Sequence, residues 1–187
     1  MASIASRRAL AGLILVLSLL GSAAEAKPAR PAGSAKAAVV ALALWSDPVF
    51  ASEARGAAAV LAKRYGGGGP VVVRANTTSA LVNGPEGIAT ALRLAARGTD
   101  SSRDVLILLL TSHGSPDGIA DKGGGRIGLL PPDDLKRLLD ASPFRHKLLV
   151  VSACFAGTYT ALASPDTLVI TAADSTHPSF GCQPEAH

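Results

Sequence analysis

Two residues in this 187-residue chain have the types needed for nucleophilic acyl transfer: Cys154, a thiol, and His113, an imidazole that titrates near neutrality. Both stand at the end of a long apolar run. Gly114 follows His113, and a glycine there allows a ligand to approach the backbone closely. Taken singly, each residue has a plainer reading. An isolated histidine is more often structural, and a cysteine is more often a small buried hydrophobe or half of a disulfide. Position favours chemistry. Cys154 closes Val150-Val151-Ser152-Ala153-Cys154, where a strand is expected to turn into a helix. A thiol at a helix start faces backbone N–H groups and the positive end of the dipole, which favours the thiolate. The pairing requires the two strands to be neighbours.

The elements that must position these residues are legible as alternating strands and helices. Residues 38–44 form a continuous apolar run bounded by Ser46, Asp47 and Pro48, the pattern of a buried strand. Residues 50–65 carry helix formers with an Ala/Leu/Val face and end at the glycines 66–69. A short strand is expected at 71–74, a helix at 87–97 and a strongly apolar strand at 104–111. The glycines 123–125 suit a turn in a loop or hairpin between 117 and 130, near the cleft. Then come a helix at 132–140, a strand at 147–152, a short helix at 155–163 and a strand at 167–172. Such alternation predicts βαβ crossovers and a parallel sheet. Aromatics make up only 4% of residues, so aliphatic side chains must fill the interior, as parallel sheets covered on both faces require. In these sheets functional groups gather beyond the carboxyl ends of the strands. Three tips fit that rule: Ser112-His113-Gly114, Ala153-Cys154 and Ala173-Asp174.

Composition narrows the classes. Apolar residues are 48% and charged residues 17% of the chain, which provides for a core and argues against disorder. The formal charge is +4, but the basic residues are scattered and not interleaved with aromatics, so no nucleic-acid partner is expected. No metal-ligand spacing, G-x-S-x-G elbow or P-loop occurs, and no metal site is expected. His146, His177 and His187 read as exposed, and Asp133 and Asp134 as helix-start carboxylates. Residues 1–26 read as a secretory leader: Arg7 and Arg8, then an uncharged apolar stretch, then Ala24-Glu25-Ala26. Cleavage there predicts an exported protein, periplasmic or secreted. An uncleaved leader would make an N-terminal anchor the only membrane contact. Residues 27–36 read as a linker and 37–187 as the folded domain.

The runs LLLTSHGSPDGIA (108–120), VVSACFAG (150–157) and LVITAADSTHPSFGC (168–182) resemble the bacterial branch of the legumain peptidase family. That family includes asparaginyl endopeptidases and the catalytic subunit of the glycosylphosphatidylinositol transamidase. The resemblance implies a caspase-like three-layer α/β/α sandwich with a mostly parallel sheet. It also implies a peptide or protein substrate and no cofactor. Cys154 would attack the scissile carbonyl, and His113 would protonate the leaving amine. The N–H groups of Gly114 and Cys154 would form the oxyanion hole. Ser152 stands where animal legumains carry a pocket Glu. Ser179 aligns with a pocket-lining Ser, and Asp174 falls on an Asn of the eukaryotic members. The family's Arg after the first strand has no counterpart in Trp45-Ser46-Asp47-Pro48, which speaks against asparagine specificity. Family members continue past the Phe-Gly-Cys block into a further strand and helix, so this domain is expected to be incomplete at its C-terminus.

Three alternatives stay open on the sequence. A transamidase or ligase would resolve the same acyl-enzyme with an amine. A binding module could use the scaffold without catalysis. A Cys154–Cys182 disulfide would make this a structural exported domain.

Overall fold

The computed structural model describes residues 35–179. The leader, residues 27–34 of the linker, Cys182 and the expected C-terminal incompleteness lie outside them.

Five strands form one parallel sheet in the order β2-β1-β3-β7-β8. They are β1 (Ala37–Ala43), β2 (Val71–Ala75), β3 (Val105–Thr111), β7 (His146–Ser152) and β8 (Thr167–Thr171). Between β3 and β7 a small antiparallel sheet, β4 (Gly114–Ser115), β5 (Gly118–Gly123) and β6 (Arg126–Leu130), grows from the tip of β3. The glycines 123–125 make its turn; Gly124 and Gly125 both have positive φ, a conformation that suits glycine.

The helices are α1 (Pro48–Tyr65), α2 (Pro85–Ala96) and α3 (Pro132–Asp140), each starting on a proline, where a missing N–H costs little. Alternate residues of β1 face opposite layers. Ala38, Val40, Leu42 and Leu44 join α2, α3, Leu149 and Val151 in one core. Ala37, Val39, Ala41 and Ala43 meet Phe50, Ala54 and Ala58 of α1, with Ile107 and Leu109 of β3. Phe50, Ala54 and Ala58 recur every four residues, so one stripe of α1 is buried. The result is the α/β/α layering expected from the sequence.

The α1 layer is narrower than the sheet. On that face Leu168 and Ile170 of β8 are exposed, opposite Leu148 and Val150 of β7.

The segment after Cys154 departs from the expected helix. It is a 3-10 helix, Ala156–Leu162, and Phe155 before it is left-handed, with φ 55°. The hydroxyls of Thr158 and Thr160 bond carbonyls three residues back, Phe155 and Gly157, a spacing that favours the tighter helix. With so short a helix, the dipole contributes little to activating Cys154.

Candidate active site

Strand pairing brings the two chemical residues together. β3 and β7 are parallel neighbours in a register that sets Thr111 opposite Ser152. His113 and Cys154 each lie two residues further on. The Ser112 N–H donates to the Ser152 carbonyl at 3.2 Å, extending the pairing past the strand ends. Gly114 then comes so near the Cys154 loop that a Cβ there would be 2.1 Å from the Cys154 carbonyl oxygen and 3.1 Å from the Ala153 side chain.

His113 is half-buried on the α1 face of the sheet. Its ring makes edge contacts with Trp45 at 4.8 Å and Phe50 at 4.9 Å between centroids. Its carbonyl accepts the Ala120 N–H at 2.8 Å, tying the tip to β5. Trp45 is itself fixed: its indole N–H donates to Asp47 at 3.1 Å, and the Lys122 ammonium lies 4.5 Å from its ring centroid. Among the described residues, these two aromatics are the ring contacts of the imidazole.

The hairpin behind His113 is anchored from two sides. The buried Tyr159 hydroxyl accepts the Ile119 N–H at 2.8 Å and donates to the Leu130 carbonyl. Burial pushes its pKa up to about 12. On the other side Asn76 donates to the Leu44 carbonyl and to Asp121 of β5, both at 2.7 Å. Burial raises the Asp121 pKa against the lowering effect of that Asn76 bond.

Cys154 is also half-buried. The segment following β8 folds over it. Its Sγ accepts the Ser179 N–H at 3.3 Å and lies 3.8 Å from the Ser179 hydroxyl. The Phe155 N–H donates to the His177 carbonyl at 3.0 Å. Asp174 organises that segment. Its carboxylate accepts the N–H groups of Thr176 and His177 at 2.7 and 2.8 Å and meets the His177 ring at 2.7 Å. The Thr176 N–H, and then the His177 and Thr176 side chains, hold its pKa down at about 2. Gly157 permits the crossing, since a Cβ there would be 2.3 Å from the Ser175 nitrogen.

Of the residues singled out in the sequence, His113, Gly114, Ser152, Cys154 and Ser179 therefore converge. Asp174 stands at the adjoining β8 tip with its carboxylate engaged by its own turn. His146 meets Asp166 at 3.1 Å, away from the crevice at the opening of β7. Sequence reasoning missed Glu53. It projects from α1, and its carboxylate accepts the Thr111 hydroxyl at 2.5 Å and the Ser152 hydroxyl at 2.6 Å. The available signal was its place three residues after Phe50, on the same side of the helix.

A family model described as the Peptidase C13 family matches residues 85–187, which include both His113 and Cys154. The chain belongs to that family. Peptidase C13 is the legumain family of cysteine peptidases, so membership supports a hydrolase acting on peptide or protein substrates. No curated protein matches the chain. The C13 match begins at α2. The elements β1, α1 and β2, with Trp45, Phe50 and Glu53, precede it.

Proposed function

We propose that the chain is a cysteine endopeptidase with Cys154 as nucleophile and His113 as acid and base. The observation that carries this is the β3–β7 register, Thr111 opposite Ser152, with both reactive side chains two residues beyond it. The Cys154 thiolate adds to the scissile carbonyl carbon, forming a C–S bond. Negative charge moves to the carbonyl oxygen. The N–H groups of Gly114 and Cys154 are assigned to receive it, and the packing of Gly114 against the Cys154 carbonyl, which sets the two residues side by side, supports that assignment. The C–N bond then breaks, and His113 gives its proton to the leaving amine. A water, deprotonated by His113, attacks the thioester and releases the acid and the thiolate.

The Ser179 N–H at the sulfur favours the thiolate, since a donor bonded to the charged form stabilises it. The ring contacts with Trp45 and Phe50 fix the His113 plane without a carboxylate partner. Ser152 and Ser179 are assigned to the substrate pocket, and Asp174 to the turn that forms its rim.

Export through the leader at 1–26 completes the proposal; N-terminal sequencing of the mature protein is expected to read from Lys27. Among the described residues no helix is long and apolar enough to cross a membrane. The test of function is cleavage of a diverse peptide library by the purified chain. Cleavage is expected, and loss in Cys154→Ala and His113→Ala. A folded parent that cleaves nothing refutes the proposal.

A further inference from the structure

An exposed carboxylate lies beneath the reactive pair. Thr111 and Ser152 are register partners, and both turn toward α1. Residues two apart on a strand face are separated by about 6.5 Å. The Glu53 carboxylate, bonded to both hydroxyls, therefore sits roughly one side-chain layer below His113 and Cys154. Each hydroxyl occupies one carboxylate oxygen. Each oxygen retains acceptor capacity. No ion pair to Glu53 occurs among the described residues. Lys122 is held over Trp45 instead. The site thus presents a fixed, solvent-accessible negative charge at side-chain reach from the nucleophile.

We infer that Glu53 is the specificity determinant for a basic substrate residue: the side chain on the acyl side of the cleaved bond is Arg or Lys, its cation meeting the Glu53 carboxylate between Thr111 and Ser152. The inference rests on the peptidase reading above. A long aliphatic stem spans the layer, and a guanidinium matches a carboxylate through two N–H donors. An Asp at that position meets like charge. An Asn presents a carbonyl oxygen to a carboxylate and satisfies it only through its NH2 group. Glu53 lies outside the residues matched by the C13 family model.

The test is a set of fluorogenic peptides that differ only in that residue: Arg, Lys, Asn, Asp and Ala. The full chain is assayed beside Glu53→Gln and Ser152→Ala, each first shown to be folded by its thermal transition. The parent is expected to prefer Arg and Lys, and the Arg-over-Ala ratio of kcat/KM is expected to fall at least about tenfold in Glu53→Gln. Ser152→Ala keeps the carboxylate and is expected to keep a ratio above one. Butylguanidinium should compete with the Ala substrate in the parent and lose that effect in Glu53→Gln. Preference for Asn or Asp, or an unchanged ratio in Glu53→Gln, overturns the inference while the peptidase stands. Failure to cleave any of the five peptides while the diverse library is cleaved overturns the inference alone; failure on the library as well overturns the peptidase reading, and the inference with it.

Discussion

The α-carbon of Gly114 lies against the carbonyl oxygen of Cys154, with room for hydrogen and not for a methyl group: a Cβ there would be 2.1 Å from that oxygen. Gly114→Ala should push the two strand tips apart. Activity is expected to fall by about 100-fold, since small displacements of reacting groups are expensive. The cost in stability should be about 1–3 kcal/mol. Steady-state kinetics and a denaturant titration read the two effects separately.

Phe50 sits under the His113 ring and is 4% exposed. Phe50→Leu keeps an apolar side chain and removes the ring edge. It should cost about 1–3 kcal/mol and lower kcat tenfold or so by freeing the imidazole. A kcat unchanged by this substitution would mean that Trp45 alone orients His113.

Tyr159 joins the hairpin behind His113 to the segment behind Cys154. Tyr159→Phe leaves the Ile119 N–H and the Leu130 carbonyl without this partner, at a cost of about 1–3 kcal/mol. Hydrogen exchange at Ile119 should accelerate accordingly. The phenol itself supplies a pH signature. Its folded pKa, about 12, is above its ordinary value of 10.0. Its contribution is therefore full below pH 10 and is lost as pH rises toward 12. Phenolate absorbance of Tyr159 in the folded protein should appear only near that upper value.

Asp174 works in the opposite direction. Its pKa is held at about 2, below the ordinary 3.8. The turn it forms is thus supported above pH 4 and is released as pH falls toward 2. His177 is its ring partner, so its NMR signals should report the change. Asp174→Asn retains an acceptor for the Thr176 and His177 N–H groups and should disturb the turn less than Asp174→Ala.

Much of this architecture was legible in the sequence because it rests on continuous apolar runs. Residues 38–44, 104–111 and 147–152 read as strands, and the strand-tip rule put His113 and Cys154 at the same end of a sheet. Their adjacency was not legible. It depends on β7 pairing with β3, a long-range choice that local patterns do not encode. The helix expected after Cys154 became a 3-10 turn because Thr158 and Thr160 bond back three residues and Phe155 turns left-handed. Glu53 was missed for a related reason. Helical periodicity marks the buried stripe Phe50, Ala54 and Ala58, whereas Glu53 matters through two hydroxyls on strands distant in sequence.

The central claim is that Cys154 forms the covalent bond to substrate with His113 as its proton carrier. Its most direct test is trapping with peptidyl acyloxymethyl ketones of mixed sequence, followed by peptide mapping in a mass spectrometer. The account predicts one adduct, on Cys154, whose formation tracks the loss of peptide cleavage and is slowed in His113→Ala. Cleavage that persists in Cys154→Ala, or an adduct that forms on Cys182 instead, would contradict it.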